Sequence, residues 1–323
     1  MTCSEIWIVA EIRNGSPTRV TSQILGAAAN LAKEKGLDAV AVLLGGEQEN
    51  ADELAGLASR VLWLQSSALD SYEATRHVTA LSQLVETRGA PVAILAGASS
   101  SGMEFSPRLA ARCKAGYLSS CVDLWWKDDS LAARRPIFGG KVYEELAFTA
   151  GPAVATVRSG AFSMPEKRQE PGAIEVMPMD IPDSLGAEIT GRATTASGNV
   201  DLTEAARVVA GGRGMGSVEN FKLVEDLAET LDAAVGASRA IVDAGWRSHD
   251  EQVGKSGKTI SPELYIACGI SGAIHHTLGM NTSKVVAAIN TDPDALIFQS
   301  ADFGLVGDAL EVLPALTAAL KEE

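Results

Sequence analysis

The stretch QVGKSGKT at residues 252–259 combines the lysines, glycines and hydroxyl side chains that phosphate-binding loops use. A P-loop needs a glycine separated by four residues from its Gly-Lys-Ser/Thr triplet. Gln252 occupies that position, and Gly254 is two residues too close to the triplet. The chain then continues to Ser261-Pro262 instead of entering a helix-like pattern. The spacing therefore disfavours a nucleoside triphosphatase.

The same loop still has the groups that could hold a ligand. Lys255 supplies a cation, Ser256 supplies a hydroxyl, and the glycines leave backbone N–H groups accessible. Such a loop can bind a phosphate or the polar edge of a ring. Judged on this loop alone, an ordinary surface turn is the simpler interpretation.

Two further loops carry an arginine among small residues. GGRGMGS at 211–217 follows an apolar run, so its glycines would let the backbone approach a ligand while Arg213 pairs with a phosphate or stacks on a ring. Ser217 stands where the dinucleotide fingerprint Gly-x-Gly-x-x-Gly requires its last glycine, so that fingerprint is not met. Ser238 and Arg239 form a second such turn, which favours an anionic or electron-rich ligand. A plain strand-to-helix turn remains an alternative for each.

Polar residues also follow predicted strands nearer the C-terminus. In CGISGAIHH at 268–276, the adjacent His275 and His276 would point about 100° apart on a helix, so one metal ion could not easily take both. We therefore predict no metal site, and expect one histidine to donate to a ligand carbonyl. Asn290 and Asp308 could bind ribose and adenine edges, although helix capping is the simpler explanation of each.

The elements that must position these loops follow from the apolar pattern. Short apolar runs alternate with longer segments rich in Ala, Leu, Glu and Lys, which predicts parallel sheets covered by helices on both faces. The polar loops then lie at strand ends, where such sheets present their ligand crevice. We predict strands near 6–10, 39–44, 61–64, 92–96, 206–210, 240–242, 264–267, 285–289 and 295–299, and helices near 22–35, 72–87 and 218–234.

The pattern changes in the middle of the chain. Residues 164–200 contain prolines and few long apolar runs, which is typical of a crossing strand and a linker. A second α/β pattern follows. We therefore expect an α/β fold with two Rossmann-like or flavodoxin-like parallel-sheet domains: residues 1–195, with a linker at about 190–200, and residues 196–323.

The composition narrows the possible partners and compartment. The 323 residues carry a formal net charge of −14, which disfavours nucleic acid as a partner. The four cysteines, Cys3, Cys113, Cys121 and Cys268, show no metal or disulfide spacing. The N-terminal sequence has no targeting pattern and no apolar run has transmembrane length. We expect a cytoplasmic protein that does not insert into membranes.

Taken together, these motifs resemble the α subunit of electron transfer flavoprotein. The resemblance rests on six segments in order: GGRG (211–214), GASR (236–239), QVGKSGKT (252–259), PELYIACGISGAIHH (262–276), SKVVAAIN (283–290) and FQSADFGLVGD (298–308). RPIFGGK (135–141) and GPAVATVRSGAF (151–162) extend it into the first domain.

The resemblance implies one FAD, held mainly by the C-terminal domain, and a heterodimer with a homologous β subunit. It also implies electron transfer from flavin-linked dehydrogenases, such as acyl-CoA dehydrogenases, one electron at a time to a membrane quinone oxidoreductase or another acceptor. The chain would thus be an electron-transfer protein rather than a stand-alone enzyme. Arg239, Ser256 and His276 would tune the flavin. The implied FAD-binding residues are Arg213, Ser238, Arg239, Val253, Gly254, Lys255, Ser256, Ser271, Gly272, Ala273, Ile274, His275, His276, Asn290, Asp308 and Ala309.

Two positions depart from the family pattern. Lys255 stands where the family usually has Gln, and His275 stands where it usually has Gln as well. An additional cation near the ring should stabilise anionic flavin and raise its potential, which is a hypothesis that rests on Lys255. Three alternatives remain open: a stand-alone flavin or nicotinamide oxidoreductase, a P-loop hydrolase, and a non-catalytic nucleotide-binding module.

Overall fold

The computed structural model describes residues 3–149, 151–182, 185–191 and 201–322. The chain forms two compact units, Met1–Thr194 and Thr195–Glu323, and the described residues of each surround hydrophobic clusters of their own. The predicted linker at about 190–200 falls mainly on residues 192–200, which lie outside the described ranges. Its role as a linker therefore stays a prediction.

Strands form the framework of the first unit. In chain order the described strands are β1 (Glu5–Val9), β2 (Ile12–Arg13), β3 (Ser16–Pro17), β4 (Asp38–Leu44), β5 (Arg60–Gln65), β6 (Ala93–Gly97), β7 (Gly116–Cys121), β8 (Asp123–Lys127), β9 (Ser130–Ile137), β10 (Val142–Ala147), β11 (Ala153–Val157) and β12 (Ala173–Pro178). Among them, parallel pairing gives the order β12-β5-β4-β1-β6-β11-β7. The strands β8 to β10 form an antiparallel sheet, and β2 pairs with β3 in a hairpin.

Helices pack against this parallel sheet. They are α1 (Arg19–Lys35), α2 (Gln48–Ala55), α3 (Ala74–Arg88) and α4 (Ser100–Arg112), with short 3-10 helices at Ser67–Leu69 and Phe138–Gly140. Local sequence sets the ends of α1, because the Thr18 hydroxyl accepts a hydrogen bond from the N–H of Thr21 and Gly36 adopts a left-handed φ of 64°. The strands and helices predicted for this unit are confirmed with shifted boundaries. The antiparallel sheet was not predicted.

The second unit contains a smaller, fully parallel sheet. Its described strands are β13 (Arg207–Gly211), β14 (Ala234–Ala237), β15 (Leu264–Cys268), β16 (Val285–Asn290) and β17 (Phe303–Val306), in the order β14-β13-β15-β16-β17. Its helices are α5 (Lys222–Thr230), α6 (Arg239–Asp243), α7 (Ile274–Thr277) and α8 (Ala309–Lys321), with 3-10 helices at Arg213–Met215, Glu219–Phe221, His249–Glu251 and Leu296–Ser300. The predicted fold class, α/β with parallel sheets, is confirmed in both units.

Two predictions for the second unit were wrong. Residues 240–242 lie in helix α6, and the strand precedes them as β14. Residues 295–299 fall largely in a 3-10 helix, and the strand follows as β17. Both errors concern short apolar runs, for which periodicity cannot distinguish a strand from a helical turn. The helix predicted over 218–234 is confirmed with shorter bounds, as α5.

The strand order creates a switch point in the second sheet. The chain passes from β13 outward to β14 and then returns to β15 on the other side of β13. The connections that leave β13 and β15 therefore diverge at the carboxyl edge of the sheet, and this is where open α/β sheets bind ligands.

Candidate functional site

A cavity of about 830 Å³ opens at this switch point. Clefts that hold cofactors are usually between 300 and 1,000 Å³. Side chains and backbone that follow β13, β14, β15 and β16 line it, so four of the five strand ends of the sheet contribute. The lining residues are Arg213, Gly214, Ser238, Arg239, Ala240, Asp243, Val253, Gly254, Ser256, Gly269, Ile270, Ser271, Ala273, His275, His276, Asn290, Asp292, Asp294, Ala295 and Leu296.

The GGRG loop after β13 packs against the loop after β15. The N–H of Gly214 donates to the carbonyl of Gly269 at 2.9 Å. A Cβ on Gly214 would lie only 2.7 Å from the Cα of Gly269, and a Cβ on Gly212 only 2.4 Å from its carbonyl oxygen. The glycines therefore allow the two loops to meet. Of the glycines in the GGRG loop, Gly214 also lines the cavity, and its approach to a ligand stays a prediction.

The loop at 252–258 is held in place by backbone hydrogen bonds. The N–H of Val253 donates to Ala237 at 2.9 Å, and the N–H of Lys255 donates to the carbonyl of His275 at 2.7 Å. Gly254 has a φ of 142°, and a Cβ there would lie 2.8 Å from that same carbonyl. The buried Gln252 donates from Nε2 to the Ser256 hydroxyl at 3.0 Å. The loop thus presents Ser256 to the cavity from a fixed backbone.

Lys258, the lysine of the Gly-Lys-Thr triplet, forms an ion pair with a residue outside the loop. The Nζ of Lys258 lies 3.3 Å from the carboxylate of Asp201. No helix begins directly after this triplet, since residues 259–263 have no helical assignment. The P-loop interpretation therefore fails on geometry as well as on spacing.

Two polar side chains stand after β14. Ser238 occupies the N-cap position of α6, yet its hydroxyl makes no capping hydrogen bond. The exposed Arg239 forms an ion pair with Asp243 at 3.1 Å, one helical turn further on. A pair this exposed contributes little to stability, so the guanidinium can turn to an anionic ligand at small cost.

His276 lies against the core of the unit. It is 7% exposed, and its Nε2 lies 2.8 Å from the hydroxyl of Tyr265 in β15. Its Nδ1 is buried and forms no hydrogen bond with the described residues. Burial lowers the pKa of His276 to about 4, so the ring is neutral at pH 7.

The structure places eleven of the sixteen predicted residues in the cavity lining. Asn290 is among them, and its amide donates to the carbonyl of Ile270 at 2.9 Å. Asp308 follows β17 and caps α8, because its carboxylate accepts a hydrogen bond from the N–H of Leu310. This is the helix-capping role that was the simpler explanation of Asp308 in the sequence. The five predicted residues outside this lining are Lys255, Gly272, Ile274, Asp308 and Ala309.

Sequence reasoning missed Tyr265 and Gln252 as side chains that support the site. Tyr265 is part of an apolar strand pattern, and nothing in that pattern distinguishes it from a core aromatic residue. Gln252 was considered only as a defect in the P-loop pattern. Tyr265 contacts the predicted site residue His276 from the neighbouring strand β15, and Gln252 contacts the predicted site residue Ser256 within the same loop.

A second cavity, of about 650 Å³, lies at the strand ends of the first unit. Its lining includes the carboxylates of Glu11, Glu47, Glu49 and Asp70. Among the described residues, its lining contains no lysine or arginine to offset their repulsion of phosphates, whereas the cavity at the switch point sets Arg213 and Arg239 beside Asp243, Asp292 and Asp294. The second unit is therefore the better candidate for a nucleotide cofactor.

Comparison with known proteins gives the same division of the chain. Residues 201–281 match the electron transfer flavoprotein FAD-binding domain, and residues 6–182 match the electron transfer flavoprotein domain. The electron transfer flavoprotein subunit alpha of Thermoanaerobacterium thermosaccharolyticum is 39% identical over 324 residues, and that of Mycobacterium leprae is 40% identical over 325 residues; both alignments cover 98% of each chain. Protein FixB of Clostridium saccharobutylicum is 38% identical, covering 98% of this chain and 96% of that protein.

The chain belongs to the electron transfer flavoprotein α-subunit family. This membership, with its FAD-binding domain at 201–281, supports a role as an electron carrier whose cofactor is FAD. The resemblance found in the sequence is confirmed. No helix in the described ranges combines the length and the apolar composition that a membrane span requires.

The residues of the cavity fit FAD by their chemistry. Arg213 and Arg239 can neutralise a pyrophosphate, and the Ser238 hydroxyl, which makes no capping hydrogen bond to α6, can bind a ligand. Apolar walls such as Ile270 and Leu296 suit a ring system. Asn290 lines the cavity but lies beyond the matched range 201–281, as do Asp308 and Ala309.

Proposed function

We propose that this chain is the FAD-carrying subunit of a heterodimer with a homologous β subunit. In this proposal it accepts electrons from flavin-linked dehydrogenases, such as acyl-CoA dehydrogenases of fatty acid β-oxidation. It passes them singly to a quinone oxidoreductase or another acceptor. The observation that carries the proposal is the cavity at the switch point, where two arginines, three serines and two histidines converge inside the FAD-binding domain.

The protein residues would bind and orient the cofactor. Arg213 follows β13 and Arg239 follows β14, so their guanidinium groups can balance negative charge on a pyrophosphate and beside the ring. Ser238 and Ser271 offer hydroxyls to the same cavity. Bound FAD supplies the electron chemistry, since flavins accept and release electrons.

The loop at 252–258 and His276 would tune the flavin. Ser256 is held by Gln252, so its hydroxyl is already oriented before a ligand arrives. His276 lines the same cavity as a neutral imidazole supported by Tyr265. In the described part of the chain, Ser256 is hydrogen-bonded to the amide of Gln252 and His276 to the phenol of Tyr265, so these two residues do not form the serine–histidine pair of a hydrolase.

The first test is stepwise reduction of the full chain purified with its β subunit, followed by visible absorption. We expect one FAD per chain and electron uptake in two resolved one-electron steps. A complex that stays colourless after reconstitution with FAD would refute the proposal. Turnover of a small substrate without a β subunit would favour a stand-alone oxidoreductase, and FAD binding without electron exchange with a dehydrogenase would favour a nucleotide-binding module.

A charge-matched pair of variants tests the site itself. Arg213→Gln removes a cation at the carboxyl end of β13, whereas Arg207→Gln removes one at the opposite end of the same strand, where Arg207 donates to the carbonyl of Leu231. A lost charge-assisted hydrogen bond should weaken FAD binding by about ten- to a hundredfold in the first variant. Equal FAD affinity in both variants would place the pyrophosphate elsewhere.

A further inference from the structure

Tyr265 makes a single side-chain hydrogen bond within the described residues, and it is to His276. Tyr265 lies in the strand β15, between β13 and β16, and is completely buried. Its hydroxyl oxygen and the Nε2 of His276 are 2.8 Å apart, and the two ring centroids are 6.2 Å apart. The contact therefore joins the centre of the sheet to the helix α7 at the cavity.

The direction of this hydrogen bond follows from burial. Burial raises the pKa of Tyr265 well above its ordinary value, so the phenol keeps its proton. Burial lowers the pKa of His276 to about 4, so one imidazole nitrogen has a free lone pair. A buried hydroxyl that failed to donate would lose a hydrogen bond with no compensation from water. The Tyr265 hydroxyl therefore donates to Nε2, and the imidazole proton resides on Nδ1.

The second nitrogen, Nδ1, is buried without a hydrogen bond of good geometry to the described part of the chain. The backbone of Val253 also acts on the ring, because a carbonyl that accepts from the imidazole raises its pKa. The contact at Nε2 is therefore the stronger of two influences on the neutral tautomer. A tyrosine that donates there selects the tautomer protonated on Nδ1.

We infer that Tyr265 is a positioning residue, which fixes the tautomer and orientation of His276 at the cofactor cavity. The inference rests on the proposed function for its consequence, because His276 affects FAD only if FAD binds in that cavity. A phenol hydroxyl can also accept a hydrogen bond. The pair can therefore remain joined if His276 gains a proton on Nε2, with the bond then running from Nε2–H to the Tyr265 oxygen.

The test uses the full chain with its histidines labelled with ¹⁵N. The sequence has only four histidines, so the imidazole signals can be assigned with single variants such as His276→Gln. In the wild-type chain we expect His276 Nε2 to show the chemical shift of an unprotonated nitrogen. In Tyr265→Phe, the loss of one hydrogen bond should raise the population protonated on Nε2 by about two- to tenfold.

Tyr72→Phe is the matched control. Tyr72 also lies against a buried histidine, with its ring edge-on to His77 at 4.8 Å, but its hydroxyl shares its proton between the carbonyl of Ser101 and the carboxylate of Glu104, each 3.0 Å away, and not with an imidazole. This variant should leave the His276 signals unchanged. A protonated Nε2 in the wild-type chain, or an unchanged tautomer in Tyr265→Phe, would overturn the inference.

A second measurement separates this inference from the proposed function. In the complex with the β subunit, Tyr265→Phe should retain FAD and shift the first one-electron potential by about 20–60 mV, which is the same two- to tenfold change for one electron. An unchanged potential with an altered tautomer would overturn the role toward FAD. Failure of wild-type and variant complexes alike to bind FAD would refute the proposed function, while the tautomer measurement would still decide the role of Tyr265.

Discussion

At the scale of single residues, Lys255 is the departure from the family pattern that the structure makes easiest to test. It is exposed on the rim of the loop between Gly254 and Ser256, both of which line the cavity. Its backbone N–H is used by the carbonyl of His275, but its ammonium group forms no ion pair within the described ranges. The positive charge is thus uncompensated beside the proposed flavin site.

We predict that Lys255→Gln lowers the flavin potentials. Removing a solvent-screened charge beside the proposed flavin site should destabilise reduced flavin by about 1 kcal/mol, or roughly 40 mV for one electron. Lys258→Gln is the control, because the charge of Lys258 is already balanced by Asp201 at 3.3 Å. Redox titration of both complexes measures the effect, and potentials unchanged by Lys255→Gln would end the hypothesis that this cation tunes FAD.

A second residue-scale prediction concerns His77 in the first unit. Burial lowers its pKa to about 4, and the backbone and charge of Glu73 offset only part of that shift. The unfolded chain takes up this proton near pH 6.5. Above pH 6.5, His77 is therefore neutral in both states and does not lower the free energy of unfolding. As the pH falls from 6.5 toward 4, the unfolded state alone gains the proton, so the free energy of unfolding decreases.

The expected loss from His77 is about 2 kcal/mol between pH 7 and pH 5. His77→Gln should remove that part of the pH dependence, and urea unfolding of the full chain at the two pH values measures it. The difference between variant and wild type isolates His77 from the carboxylates, which titrate in both. An identical pH dependence in the two chains would mean that His77 is charged in the folded state.

At the scale of elements, the loops at the carboxyl edge of the second sheet depend on close backbone contacts. Gly214→Ala would force a Cβ to within 2.7 Å of the Gly269 backbone, which cannot move as a side-chain end could. We expect a loss of about 1–3 kcal/mol in unfolding free energy and weaker FAD binding. Gly307→Ala is the control, since its Cβ would meet side-chain atoms at 3.4 Å and 3.6 Å. Similar FAD titrations of the two variants would show that the loop contact is dispensable.

The elements that sequence could predict are those with long or fully buried patterns. The strands β1 and β6 are buried along their whole length, and their continuous apolar runs report this directly, although the equally buried β11 was not predicted. The segments 240–242 and 295–299 are as apolar as strands but are closed into helical turns by local hydrogen bonds, such as that from Phe298 to Ala295. The edge strand β17 is exposed, so its pattern carries no burial signal.

The features of the candidate site likewise fall into those that the sequence could locate and those that it could not. Loops rich in Gly, Ser and Arg directly after apolar runs were located by sequence, because the carboxyl edge of a parallel sheet collects them. The contact from Tyr265 to His276 could not be located, since it joins positions 11 residues apart whose meeting depends on the turn between β15 and α7. The packing of Gly214 on Gly269 depends likewise on strand order.

At the scale of the whole molecule, the two units have separate cores. In the described residues, one pair of hydrophobic clusters belongs to the first unit and another pair to the second. The net charge of −14 belongs to the chain as a whole, and the lining of the proposed FAD cavity sets two arginines beside three aspartates.

This division predicts how FAD stabilises the chain. A ligand that binds only the folded second unit, at 100 times its dissociation constant, adds about 2.7 kcal/mol to the stability of that unit. Calorimetry of the full chain should therefore show a transition that rises by roughly 5–15 °C with FAD, beside one that does not move. The double variant Arg213→Gln with Arg239→Gln should lose the shift, because both cations that face the cavity are gone. If FAD instead raised every transition equally, its effect would extend beyond the unit that holds the cavity, and the assignment of binding to residues 201–322 alone would be wrong.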